Sequence, residues 1–316
     1  MARMNRVITD RGLQRSQHLH SLLVTLSGLS GVILAAALAT VGHGVPTFAL
    51  VIFAVMFFPI AFAVTVGFHR HFTHRSFRAR TSVRMTLAAL GCMAAQGPVT
   101  FWVALHRHHH ELADRPGDPH SPNLHGSGGW RKLRGVFHAY IGWTLQHEVP
   151  NVNFYARDVL ADQAIMAVNR NYHVWILLGL ALPTLAGWLV TQTVAGALLG
   201  FVWGGLLRMF AIHNMIWWIT SFAHAFGSRD LDSRDLSRNN PWIVLPTLGE
   251  GWHNNHHAFP SAAVVSFHWW QVDPTGWAIR ALEWLGLAWD VQVPTRAQIS
   301  SKLNTTHKAA ATATKE

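Results

Sequence analysis

The sequence predicts an all-α integral membrane protein with four transmembrane helices in two hairpins. Three observations carry this. Half of the 316 residues are apolar and only 13% are charged, where an ordinary soluble domain has about a quarter charged. Between Arg15 and Arg70 no residue is charged when His is counted neutral, and a bilayer core needs roughly 20 apolar residues per helix. A second such interval runs from Asn171 to Phe222, with Arg208 as its single charge.

Taken in order, residues 1–20 form a basic segment with Arg3, Arg6, Arg11 and Arg15 against Asp10. The first pair of spans is expected at 21–41 and 47–67, joined by the tight link Gly42-His43-Gly44-Val45-Pro46. A cleaved signal peptide fits less well, because its apolar region would be about 7–15 residues and a polar mature chain would follow. Met85 to His106 is also uncharged and long enough to cross. Crossing would put the histidines near residue 70 and those near 106 on opposite sides, and Gly91, Gly97 and Pro98 weaken a helix there. The segment is therefore expected to be buried in the protein or to dip into the membrane face. The second pair is expected at 172–191 and 194–219. Arginines in the N-terminal segment and between the pairs place both in the cytoplasm by the positive-inside rule, and an even number of spans returns the C-terminal segment there. In a bacterium this would be the inner membrane. The Trp-rich stretch 268–289, with Arg280 and Glu283, reads as an interfacial amphipathic helix. The polar, Ala/Thr-rich tail 301–316 reads as disordered.

The 22 histidines are not evenly spread. With Cys92 as the one cysteine, no thiolate cluster exists and any metal is held by nitrogen or oxygen. His69 and His74 follow the second expected span, His106, His109 and His110 form His-x-x-His-His, and His253, His256 and His257 repeat it. On a helix, offsets of three and four share a face, so each triplet can present three imidazoles to one point. His224 stands alone at the end of the fourth span. His43, His138, His147, His173, His268 and His307 read as core or surface residues, and His71 and His108 as pointing away from the ligand face. Packed neutral imidazoles would leave many buried polar atoms unpaired, whereas a metal satisfies them. Nine candidates exceed the needs of one tetrahedral zinc or a haem. A dinuclear centre fits, with iron, copper, nickel and zinc all compatible with imidazole.

In its motifs the chain resembles the membrane-bound fatty acyl desaturases, specifically the acyl-CoA delta-9 (stearoyl-CoA) group. The matches are His69-x4-His74, His106-Arg107-x-His109-His110 with Asp118-Pro119-His120, Ser221-x-x-His224, and Gly249-Glu250-Gly251-Trp252-His253-Asn254-Asn255-His256-His257. Ser237-Arg238-Asn239-Asn240 and Leu207-Arg208 also match. The resemblance runs from about residue 45 to 270 and implies a mushroom-shaped fold. Four membrane helices would lie within one domain, 21–300, under a cytoplasmic cap formed by 68–170 and 223–300. It implies that His69, His74, His106, His109, His110, His224, His253, His256 and His257 bind two ferrous ions, with dioxygen as co-substrate. The product would be a cis double bond in a saturated acyl-CoA. Glu250, Asn254 and His120 are expected beside the ligands or the substrate. Where the group carries Asn four residues before the lone histidine, this chain has Thr220, which can still bond a water but lacks the amide. Arg208 lies 16 positions before His224, about 24 Å along a helix. An intramembrane charge is by default a functional residue, and the alternative is an Arg that snorkels to the far interface.

Acyl chains esterified to lipid stay open as substrates, because a basic cytoplasmic face attracts anionic lipid as well as the phosphates of coenzyme A. Hydroxylation and oxidative decarboxylation stay open as outcomes. A haem-bearing electron carrier is the reading from another class, and a Soret band would mark it. The chain contains no cytochrome-like segment, flavin fingerprint or ferredoxin cysteine run. Electrons are thus expected from a separate ferredoxin or cytochrome-type donor fed by an NAD(P)H reductase. Membrane lipid is the other expected partner, and nucleic acid is not.

Overall fold

The computed structural model of the protein describes residues 5–42, 44–126, 128–145 and 148–303. His43, His147, His307, Arg3 and residues 304–316 of the expected tail lie outside the described residues. Four helices are long and apolar enough to cross a membrane: Arg11–Val41, Thr47–Thr73, Tyr172–Thr191 and Val194–Ala225. The first starts ten residues before the expected 21. Asp10 is the reason, since its carboxylate accepts the Leu13 N–H at 2.7 Å and satisfies an orphan donor of the first turn. The second and fourth outrun their expected ends at 67 and 219, and each contains a π-helical stretch, Ala63–Thr73 and Phe201–Leu207. The chain is not purely helical. Val7–Ile8 pairs with Val149–Pro150, and Arg78–Ala79 with Ala288–Trp289, both antiparallel.

The chain divides into two compact units. The first comprises Met1–Phe68, Thr81–Ala104 and Thr144–Met215, and the second His69–Arg80, Leu105–Trp143 and Ile216–Glu316. In the first unit the Phe201–Leu207 stretch packs on the other three long helices, with Gly31 against Leu206 and Gly204 against Pro183 and Ile52. The third and fourth long helices touch backbone to backbone beyond the turn at Gln192, which takes φ 53°. A Cβ on Gly200 would lie 2.0 Å from the Pro183 carbonyl oxygen, and one on Gly187 would lie 2.1 Å from that of Gly196. Small residues permit such close approach between apolar helices. Gly200→Val is accordingly expected to force the pair apart and destabilise the protein by about 1–3 kcal/mol or more. A lowered melting temperature and a broadened size-exclusion peak in detergent would register it; an unchanged melt would show that the helices can separate freely.

The segment expected as one buried or dipping element is two helices, Thr81–Cys92 and Val99–Leu112. Between them Ala95 and Gly97 take φ of 60° and 97°, which breaks the helix. Its freed backbone groups are captured by side chains. The Gly97 N–H donates to the Tyr172 hydroxyl at 2.8 Å, Tyr172 pairs with His20 at 3.1 Å, and His20 pairs with the Ala95 carbonyl at 3.3 Å. Arg208 completes the set. It is fully buried and donates to the carbonyls of Met93 at 2.6 Å, Gly179 at 2.8 Å and Gly204 at 3.1 Å. It therefore does not snorkel, and what it touches is backbone.

In the second unit the Trp-rich stretch is helical only over Pro274–Trp284, shorter than the expected 268–289. Asp273 caps it by accepting the Gly276 N–H at 2.9 Å. Trp277 and Trp284 face outward while Ile279 is buried. The helix Gly129–Tyr140 buries Gly135 and Ala139, and a Cβ on Gly135 would lie 2.0 Å from the Pro122 carbonyl oxygen.

Candidate metal centre

All nine predicted histidines fall in the second unit. His69 and His74 owe their juxtaposition to the π-helical stretch. The His74 N–H donates to the His69 carbonyl at 3.2 Å, an i to i+5 bond, and widening the turn brings residues five apart onto one face. Their ring centroids are 4.9 Å apart. On an α-helix the same two would diverge. His106 and His110 sit one turn apart on Val99–Leu112, with Nε2 atoms 3.1 Å apart. His253 and His257 do the same on the short helix His253–Ala258, at 3.0 Å.

The nine rings form two groups. His69, His74, His106, His110 and His256 make one, and His109, His224, His253 and His257 the other, each with candidate ligand atoms within 4.8 Å of one another. This corrects the expectation that each triplet converges on one point. In both triplets the i, i+4 pair stays together and the remaining ring turns to the other group. His256 Nε2 lies 3.1 Å from His69 Nε2 and 3.0 Å from His110 Nε2, while His224 Nε2 lies 3.1 Å from His253 Nε2. The groups adjoin through His110 and His257, stacked at 4.3 Å.

Behind the rings stand carboxylates. His69 Nδ1 is 3.0 Å from Glu250, His109 Nδ1 2.9 Å from Asp118, His224 Nδ1 2.9 Å from Asp114, and His257 Nδ1 2.7 Å from Asp235. A carboxylate at Nδ1 fixes the proton there and leaves the Nε2 lone pair facing inward. Burial, reinforced by neighbouring imidazoles, holds His74, His106, His110, His253, His256 and His257 well below the ordinary histidine range, so these rings are neutral at pH 7. For Asp114 and Asp118 burial works upward, but His224 and His109 respectively more than reverse it and keep both carboxylates ionised. Several inward lone pairs at about 3 Å repel unless a cation lies among them, and the Nε2 atoms of His74 and His109 are buried without a hydrogen-bond partner. The donor set therefore fits two metal ions with imidazole ligands.

The other predicted site residues divide. Glu250 is in place behind His69, and the His120 ring lies 4.1 Å from that of His109. Asn254 is buried but spends its amide on the Leu231 backbone, accepting its N–H at 2.9 Å and donating to its carbonyl at 3.0 Å. Thr220 donates to the Ala139 carbonyl at 2.7 Å, fastening the fourth long helix to Gly129–Tyr140 rather than facing either ring group. His71 pairs with the Phe77 carbonyl at 3.1 Å, and His108 is buried outside both groups. His138 lies against His125, His173 against Tyr172 and His268 against Trp270.

Asp114, Asp235, Arg70 and Asp273 were not predicted. Asp114 stands at φ 59° just past the His106 helix, where it also accepts from Ser121, Asn123 and the Leu236 N–H. Asp114→Asn is expected to weaken metal binding by about 10–100-fold, because the amide no longer demands the Nδ1 proton of His224. Metal retained against graded chelator measures this; wild-type retention would show that the carboxylate does not orient the ring.

Comparison with known proteins agrees with the site. The sequence model of the family described as fatty acid desaturase matches residues 11–290. The chain is 50% identical over 241 residues, 76% of this chain and 75% of the other, to the hex-5-enoyl-[acyl-carrier protein] acetylenase of Moorena producens. It is 35% identical over 243 residues to the sn-1 stearoyl-lipid 9-desaturase of Synechocystis, covering 76% and 70% of the two chains. It is also 35% identical over 240 residues to the acyl-CoA C20 Delta5-desaturase of Anemone leveillei, covering 74% and 70%. With nine rings gathered as such chemistry requires and a match over most of its length, the chain belongs to the fatty acid desaturase family.

Proposed function

We propose that the protein is an oxygen-dependent desaturase of a fatty acyl thioester, with two ferrous ions held by His69, His74, His106, His109, His110, His224, His253, His256 and His257. The observation that supports this best is the division of nine clustered imidazoles into groups of five and four, four of the rings held by carboxylates. Bound iron would supply dioxygen activation, which is needed because no side chain is basic enough to take a proton from an alkane carbon. In balance, an acyl CH2–CH2 pair loses two hydrogens. Those hydrogens, with two electrons and two protons, reduce one dioxygen to two waters. The electrons come from a separate ferredoxin or cytochrome-type donor served by an NAD(P)H reductase.

The protein's own residues prepare the site. Glu250, Asp118, Asp114 and Asp235 hold Nδ1 protons, so each of their partners enters with its Nε2 lone pair free. Burial already favours the neutral form of His74, His106, His110, His253, His256 and His257, so binding iron to these rings displaces few protons. The reading places the site on the cytoplasmic side of a multi-pass membrane protein. A net charge of +10 favours an anionic carrier, either the phosphates of coenzyme A, with the double bond at delta-9, or an acidic protein. A second reading, a triple bond in a chain carried by acyl-carrier protein, is favoured by the 50% identity to the Moorena acetylenase against 35% to the lipid and acyl-CoA desaturases.

The test supplies iron-loaded protein, ferredoxin, its reductase, NADPH and oxygen with one saturated chain in three forms: coenzyme A thioester, acyl-carrier-protein thioester and lipid ester. Mass spectrometry should find loss of two hydrogens, or four for an alkyne, from a thioester. Conversion of the lipid ester alone would overturn the thioester reading. Retained oxygen in the product would show hydroxylation.

A further inference from the structure

The helix Gly129–Tyr140 presents an apolar face that stays exposed among the described residues. Trp130, Leu133 and Phe137 recur at offsets of three and four and are 77%, 56% and 63% exposed. They lie opposite Gly135 and Ala139, the buried face. Arg131, Lys132 and Arg134 share the helix, are exposed, and make no ion pair among the described residues. The helix carries no acidic residue. A large exposed apolar stripe with cationic side chains beside it marks an interaction surface.

Its packing separates the two classes of occupant. Lys132 lies over the Phe226 ring at 4.6 Å, Thr220 bonds the Ala139 carbonyl, and the Tyr140 ring lies 5.5 Å from that of Trp217. As the number rises along Gly129–Tyr140 it falls along residues 217–226, so the two segments run antiparallel over about 12 Å. A lipid-binding amphipathic helix lies flat with its apolar face free, whereas Gly129–Tyr140 is fastened along residues 217–226 through its other face. The stripe is therefore aimed at a protein.

We infer that the Trp130, Leu133 and Phe137 face, with Arg131, Lys132 and Arg134, is the docking surface for an acidic acyl-carrier protein that delivers the thioester. This rests on the thioester reading above. The apolar stripe supplies area and the three cations supply attraction and register, as charged rims do at interfaces of this kind.

The test compares the same acyl chain on acyl-carrier protein and on pantetheine, using full-length protein in zwitterionic nanodiscs. Two variants are made, Arg131→Glu/Lys132→Glu/Arg134→Glu and Trp130→Ser/Phe137→Ser, each checked for metal content and melting temperature. In both, KM for the carrier-bound chain is expected to rise about tenfold or more while KM for the pantetheine thioester moves less than about twofold. Added salt should weaken the wild type toward the charge-reversed variant. An unchanged carrier KM in both variants overturns the docking face and leaves the thioester reading standing. Turnover of neither thioester, with a lipid ester converted, overturns both. A loss confined to reduction by ferredoxin would assign the face to the electron donor. A loss confined to binding of anionic vesicles would assign it to the membrane. Should the triple reversal fail to fold, the Trp130 and Phe137 variant carries the decision alone.

Discussion

Replacing His256 with alanine is expected to abolish desaturation and remove about half of the bound iron. His256 is the hub of the five-ring group: its Nε2 is about 3 Å from those of both His69 and His110, and its ring centroid is 4.6 Å from that of His74. It is also fully buried, so no water-exposed side chain can swing in to replace it. The four-ring group does not depend on it. His253 and His257 present Nε2 atoms 3.0 Å apart on one short helix, and Asp235 and Asp114 reach His257 and His224 from other segments. Metal content should fall from two equivalents toward one, and turnover by at least about 100-fold, a loss of the size seen when the ordering around a metal is removed. Elemental analysis and product mapping measure the two independently. Two equivalents of iron with turnover near wild type would show that the ring groups are not the centre.

How much of this was legible in the sequence depends on the range of each interaction. The nine histidines announce themselves through local spacing, and the long helices through uninterrupted apolar runs. The division of each triplet was hidden, because offsets of three and four look alike until a second centre exists to receive the odd ring. The π-helical stretch that brings His69 and His74 together leaves no mark on composition. Asp114 and Asp235 are ordinary solvated acids in sequence, since their partners His224 and His257 lie 110 and 22 residues away. Thr220 and Asn254 sit one turn or less from ligands and seemed part of the centre, yet side-chain direction sends both to backbone partners. Arg208 could be recognised as costly but not as satisfied, because its three carbonyls come from the broken segment and the third and fourth long helices.

Arg70→Met should be the most destabilising single change. Arg70 sits inside the His69-Arg70-His71 motif and is fully buried. It donates to both oxygens of Asp273 at 2.9 Å, to Glu250 at 3.0 and 3.2 Å, and to the Ala263 carbonyl at 2.7 Å. One planar cation thus holds two buried carboxylates, each with a second duty: Glu250 orients His69, and Asp273 caps Pro274–Trp284 and accepts the Val265 N–H. Methionine fills much of the volume but leaves the two anions facing each other, and removing one partner of a buried ion pair destabilises by about 3–5 kcal/mol. That corresponds to a fall of roughly 10 °C in melting temperature for a unit of this size. Arg70→Lys keeps the charge but not the fork that bridges two carboxylates, so it should fall between. Because Glu250 loses its anchor while Asp114, Asp118 and Asp235 keep theirs, iron should leave the five-ring group at lower chelator concentration than the four-ring group. A melting temperature within a degree or two of wild type for Arg70→Met, with both irons equally retained, would mean that these carboxylates are neutralised by something other than the guanidinium.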